Sequence, residues 1–212
     1  MKINSIYLYG FQGGKNLTKL NLSPTINIEE YSDIDSIIKS TYEEFKSKHM
    51  DRSIRPKELL GKKLIMEFAN WVEYKADLYW HLISLSENEW FNVFPCGNNL
   101  SSNICKENCL KKHRQITRTN GQVRTICVFR AIRVNWVIDI INLANKHDKR
   151  VRVWEKDNKL HLRYEYGEID YIIIFGVKRN SYKLISAFPV FYINKKQTFN
   201  KDFNEFMQKK SQ

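Results

Sequence analysis

Apolar and polar positions along the 212-residue chain follow two periods, helical in the first two thirds and strand-like afterwards. Ile3 to Tyr9 alternate and run into Gly10, Gly13 and Gly14, which predicts a strand and a turn. In DIDSIIKSTYEEFKSK, Ile34, Ile37, Ile38, Tyr42 and Phe45 recur at helical spacing behind acidic, cap-like residues, so residues 33–48 read as an amphipathic helix. A second helix is expected from Pro56 to about Leu85, where Leu60, Leu64, Phe68, Trp71, Leu78 and Ile83 keep a helical period. Residues 88–121 show no sustained period and read as a loop or small knuckle. A third helix is expected over VFRAIRVNWVIDIINLANK, with Val128, Ile132, Trp136, Ile140 and Ala144 at spacings of four. Val151 to Glu155, Lys159 to Glu165, Glu168 to Phe175 and Tyr182 to Ile193 then read as four strands. The links between them are short, which favours an antiparallel meander. NKDFNEFMQKK reads as a closing helix. The pattern predicts an α+β fold, N-terminal helices packed with a C-terminal four-stranded antiparallel sheet, divided into a mainly helical region 1–95 and a basic region 96–212.

Composition makes this a globular chain. A hydrophobic content of 42% is enough for a sizeable core. No apolar run approaches the length of a membrane helix and the N-terminal apolar stretch is too short for a secretory signal, so no membrane partner and a cytoplasmic location are expected. Charge adds a partner class. The formal net charge is +12, and eleven basic residues stand between Lys111 and Val153 against Asp139 and Asp148. Such clustering points to a polyanion, RNA above all, with Lys111, Lys112, Arg114, Arg118, Arg124, Arg150 and Arg152 as the contacts.

Three constellations could carry chemistry. Cys96, Cys105, Cys109 and His113, spaced C-x8-C-x3-C-x3-H, offer three thiolates and an imidazole to a structural zinc, with free thiols and a loop histidine as the alternative. Arg130 and Arg133, three residues apart on the third helix, could clamp a phosphate; an exposed basic helix face is the alternative. Alternation places His161 and Arg163 on one face of their strand, opposite Leu160, Leu162 and Tyr164, and puts Tyr182, Leu184, Ser186 and Phe188 together on the last strand. A histidine there could move the 2′-hydroxyl proton of RNA and a serine could hold the phosphate, or the histidine could simply be solvated. Acidic residues are sparse around the basic cluster, which disfavours a two-metal nuclease.

The stretches RAIRVNWVIDIINLANKHDKRVRVWEKDN and LHLRYEYGEIDYIIIFGVKRNSYKLISAFPVFY, within residues 124–195, resemble a phage-associated branch of the superfamily that unites barnase, EndoU, colicin-type and RelE-type ribonucleases (BECR). The resemblance implies a four-stranded antiparallel sheet against N-terminal helices, and metal-independent RNA cleavage by internal 2′-hydroxyl attack with no catalytic cofactor. It would place Arg130, Arg133 and Arg163 at the phosphate and Ser186 at the hydroxyl position of the closing strand, while His161 and His113 both remain candidates for the base. The expected protein is an endoribonuclease, a toxin or phage-conflict factor with a neutralising protein partner. A non-catalytic RNA- or DNA-binding protein, and a factor that binds a phage or host protein, are the alternatives.

Overall fold

A computed structural model describes residues 20–86, 103–105, 108 and 113–211; the strand expected at Ile3 to Tyr9 and much of the 88–121 loop lie outside them. The first helices and strands in chain order are α1 (Ile34–Phe45), β1 (Glu58–Leu59), β2 (Lys62–Ile65), β3 (Trp71–Val72), β4 (Lys75–Ala76), α2 (Asp77–Ile83) and β5 (Ser84–Ser86). After these come β6 (Gln115–Thr117), β7 (Val123–Ile126), α3 (Val128–Ala131) and α4 (Trp136–Asn145). The chain finishes with β8 (Val151–Lys156), β9 (Lys159–Tyr166), β10 (Ile169–Lys178), β11 (Ser181–Pro189) and α5 (Ile193–Lys210). The fold is α+β and divides into two compact units, Met1–Arg55 with Phe68–Trp136, and Pro56–Glu67 with Val137–Gln212.

In the first unit, Asp33 caps α1 by accepting from the Ser36 amide at 2.8 Å, and the helix buries Ile37, Ile38, Tyr42 and Phe45. The expectation for residues 33–48 holds, with a π-turn at Lys46–Met50 extending the helix. Tyr79 of α2 reaches α1 with its hydroxyl, 2.7 Å from Thr41 Oγ1 and 2.9 Å from the Ile38 carbonyl. Strands β5, β7 and β6 form a small antiparallel sheet in that order.

The single helix expected from Pro56 to Leu85 is not formed. Leu60 and Gly61 both have positive φ and turn β1 back on β2, and Glu73 and Tyr74, again at positive φ, make a two-residue turn between β3 and β4. Only Asp77–Ile83 is helical. The apolar spacing of residues 60–83 is helical by coincidence: Leu64 is buried as part of a sheet, whereas Trp71 is half exposed. The third helix also breaks. Arg133 N, Val134 N and Trp136 N bond carbonyls three residues back, a tightened turn that separates α3 from α4.

The second unit is built on a six-stranded sheet of order β1-β2-β11-β10-β9-β8. Strands β8 to β11 form the expected antiparallel meander. The sheet is wider than the four strands predicted because β2 pairs parallel to β11, Ser181 with Lys63 and Lys183 with Ile65. An edge strand left open would present unpaired amides and carbonyls, and β2 covers β11 at this end. Asn145 of α4 ties in β1, accepting from the Leu60 amide at 2.8 Å and donating to the Glu58 carbonyl at 2.9 Å. Helix α5 lies against β8, its Phe199, Phe203 and Phe206 packing with Trp154, Ile172, Ile174, Phe188 and Val190.

Candidate nucleic-acid interface

Cross-strand partners share a face of the sheet, so the register assigns each side chain of the second unit to a side. Trp154, His161, Ile174 and Ser186 form one transverse row, and Arg152, Arg163, Ile172 and Phe188 the next, both on the face that meets α5. The pairing slips between Ile174 and Phe175, leaving Ile185 as the extra residue of a bulge. This overturns the expectation that Tyr182, Leu184, Ser186 and Phe188 share a side. Tyr182 and Leu184 are on the opposite face with Val177 and Phe175, and the bulge brings Ser186 round to the side of His161 and Arg163.

The structure therefore collects His161, Arg163 and Ser186 on one face, but under cover. Arg163 is 1% exposed and clamps Asp170 with two bonds, Nε to Oδ1 at 2.8 Å and Nη2 to Oδ2 at 2.7 Å. Its remaining nitrogen donates to Asn200 Oδ1 of α5 at 2.8 Å, an oxygen that also accepts from Arg152 at 2.8 Å. His161 stacks on Trp154 with ring centroids 4.9 Å apart, and its Nδ1 has no hydrogen-bond partner among the described residues. Burial pushes its pKa down, so the ring is neutral at physiological pH. His161 and Ser186 flank Ile174, about 10 Å apart across two strand spacings.

The arginine pair lies in the first unit, with both residues buried. Arg130 is buried and donates to the Ser84 carbonyl at 2.7 Å, and Arg133 is buried with its guanidinium 3.4 Å from the Phe129 ring centre, donating to the Phe129 carbonyl at 3.1 Å. The short α3 and the tight turn after it direct both inward. Much of the charged window behaves alike. Arg114 bonds Asp35 and Glu73, Arg118 holds Asp77 at 2.5 Å, and Arg124 is buried on the hydroxyl and carbonyl of Ser84. Arg150 clamps Asp148, holding that carboxyl at about 2, and Arg152 lies 3.3 Å from Glu165. Lys111, Lys112, Cys96 and Cys109 lie outside the described residues. Of the remaining zinc candidates, Cys105 is buried and His113 exposed, and no group of three metal-binding side chains occurs among the described residues.

A different basic surface emerges from the register. Lys156, Lys159, Gly176 and Lys183 form the next row beyond Trp154, and Lys63, Ser181 and Lys178 the row after that, all on the α5 side. Arg179 joins them in the exposed β10–β11 turn. Lys183 pairs with Glu67 at 2.7 Å and Lys156 with Asp202 at 2.5 Å, whereas Lys63, Lys159, Lys178 and Arg179 are exposed with no carboxylate partner among the described residues. Gly176 in the middle of the patch is covered by the side chain of Ile185, the extra residue of the bulge. Sequence reasoning missed this surface because its members come from β2, β8, β9, β10 and β11. The one local signal was the exposed Lys178-Arg179-Asn180 turn.

No family model matches the chain, and neither the curated proteins nor the solved structures contain a match. No helix among the described residues is long and apolar enough to cross a membrane.

Proposed function

We propose that the protein binds RNA, with the lysine face of the second unit as its phosphate contact. The observation that carries this reading is the convergence of Lys63, Lys159, Lys178 and Arg179 on one exposed end of the sheet. Four unneutralised cations within a few strand spacings would release counterions from a polyanion, the main sequence-independent source of nucleic-acid affinity. Of the exposed carboxylates there, Asp157 stands in the β8–β9 turn and Glu67 is paired with Lys183. The choice of RNA over DNA rests on the BECR resemblance of residues 124–195. Gel-shift titration against single-stranded RNA at several salt concentrations tests the binding: affinity should fall steeply with salt, and affinity that ignores salt would refute a lysine-based interface.

Cleavage by 2′-hydroxyl attack is a second reading. It is favoured by the shared row of His161 and Ser186, a neutral imidazole and a hydroxyl on the same face of the sheet. Because Phe199 of α5 lies beside His161, the reaction requires α5 to lift. Incubation of the purified protein with total RNA in EDTA, followed by mapping of 2′,3′-cyclic phosphate ends, decides it. RNA left intact by folded, RNA-binding protein retires cleavage and keeps binding.

A further inference from the structure

Helix α5 covers the His161 face of the sheet with few apolar anchors. Of its eighteen residues only Phe199 is buried, while Phe203 and Phe206 are half-buried. Its other ties to the sheet are polar: Asp202 pairs with Lys156 at 2.5 Å, Lys196 stands 3.5 Å from Asp170, and Asn200 lies between two arginines. Beneath the helix, Trp154 Nε1 and His161 Nδ1 are buried without a hydrogen-bond partner among the described residues. Closure leaves those nitrogens dry, a cost that opening to water relieves.

Asn200 Oδ1 accepts from Arg152 Nη1 and from Arg163 Nη1, each at 2.8 Å, and these two donors fix the amide orientation. Two guanidiniums thus share one neutral oxygen. The ion pairs around it join Arg152, Arg163 and Lys196 to Glu165 and Asp170, three cations to two carboxylates, so the network carries an excess of one positive charge. A phosphate oxygen can accept the same two bonds and adds the charge attraction that an amide oxygen lacks. The Arg152 side chain is 40% exposed and Arg163 1%, so an approaching anion meets Arg152 first and reaches Arg163 only as α5 lifts.

We infer that α5 is a lid over a phosphate-binding site, with Asn200 standing in for a phosphate oxygen on Arg152 and Arg163 while the lid is shut. Closed, neither arginine is a nucleic-acid contact. Opened, Arg152 and the third nitrogen of Arg163 are free to take a phosphate, Arg163 keeps its two bonds to Asp170, and His161 is uncovered in the neighbouring row. An anion that binds only the open form shifts the population towards it. The phosphate can come from an RNA backbone or from free phosphate. The choice of RNA rests on the function proposed above, and the lid itself does not.

Hydrogen exchange of the full chain, read by mass spectrometry in millimolar inorganic phosphate and in chloride of equal ionic strength and pH, tests the lid. Peptides from α5 should exchange at least about threefold faster in phosphate while β9 and β10 stay protected. General salt effects act the other way, because phosphate as a solution salt strengthens burial. Arg152→Gln, at a half-exposed position, should abolish the response. Asn200→Asp, which gives the arginines a carboxylate from the helix itself, should blunt it, and serves where Arg152→Gln does not fold by circular dichroism. A single-stranded RNA oligonucleotide that speeds α5 exchange at micromolar concentration identifies RNA as the source, and RNA without that effect leaves free phosphate. RNA that does not bind at all sinks the function proposed above, while the lid stands on the phosphate result. The lid is overturned if folded wild-type α5 exchanges alike in phosphate and chloride, if β9 and β10 lose protection together with α5, or if the folded variants respond as wild type does.

Discussion

The two units bury arginine in different ways. In the first, Arg124 and Arg130 converge on the carbonyl of Ser84 and Arg133 lies on the ring and carbonyl of Phe129. In the second, Arg163 meets the carboxylate of Asp170 inside the sheet and under α5, with Lys196 a further 3.5 Å from the same carboxylate. Carbonyl oxygens and a ring contribute partial charges to these guanidiniums, and Arg118 pairs with Asp77 in the same unit, so arginine there links short, discontinuous elements. A bidentate carboxylate neutralises it, so the second unit makes arginine half of an ion pair that locks a helix on a continuous meander. An arginine count in the sequence treats these roles as one, and both differ from a nucleic-acid contact.

The largest expected effect comes from breaking the pair. Arg163→Ala should lower stability by about 3–5 kcal/mol in urea unfolding, because Asp170 is left charged and buried. Arg163→Met with Asp170→Leu should recover most of that loss, and a single variant that costs under about 1 kcal/mol would show that the pair does not lock the second unit.

Histidine sharpens the same contrast. His49 of the first unit is fully buried, stacked 4.4 Å from Phe45 without a hydrogen-bond partner for either nitrogen among the described residues, and burial pushes its pKa down to about 3. Its folded pKa lies below the unfolded value of 6.5, so the neutral ring contributes stability in full above pH 6.5 that is lost as pH falls towards 3. By pH 5 the loss should reach about 2 kcal/mol, read as a falling urea midpoint, and His49→Leu should flatten that part of the profile. An unchanged profile in a folded His49→Leu would mean the pH dependence arises elsewhere. His161 is shifted in the same direction, but Asp202 opposes the effect of burial there, so its contribution should be smaller.

Reversing charge on the lysine face comes next. Lys63, Lys178 and Arg179 together changed to Glu should weaken RNA binding at least about tenfold and reduce the slope of log affinity against log salt by about 2, whereas the buried Arg130 and Arg133 should leave that slope unchanged in any folded variant. Loss of the slope on changing Arg130 instead would return the interface to the first unit. The smallest effect is assigned to Ser186→Ala, which should shift RNA affinity and stability by less than about 0.5 kcal/mol but abolish cleavage if cleavage occurs.

Periodicity and turn chemistry made the meander, α1 and the closing helix legible, because each depends on neighbours in the chain: the Asp33 cap, alternation in β9 and β10, and short polar links. They failed between Pro56 and Leu85, where an apolar spacing compatible with a helix is overridden by turns at Leu60-Gly61 and Glu73-Tyr74 and by pairing of β2 with a strand more than a hundred residues away. The grouping of His161 with Arg163 was readable from alternation along one strand. The addition of Ser186 was not, since a single extra residue at Ile185 reverses every side chain beyond it.

The sequence by itself determined which segments alternate, where α1 begins, and that the chain is strongly basic, because these follow from residue type and local spacing. Tertiary structure decided which charges are available. A cation's role depends on the oxygen or ring that long-range packing brings beside it, so arginines three residues apart in sequence became internal brackets while lysines from five separate strands became one surface.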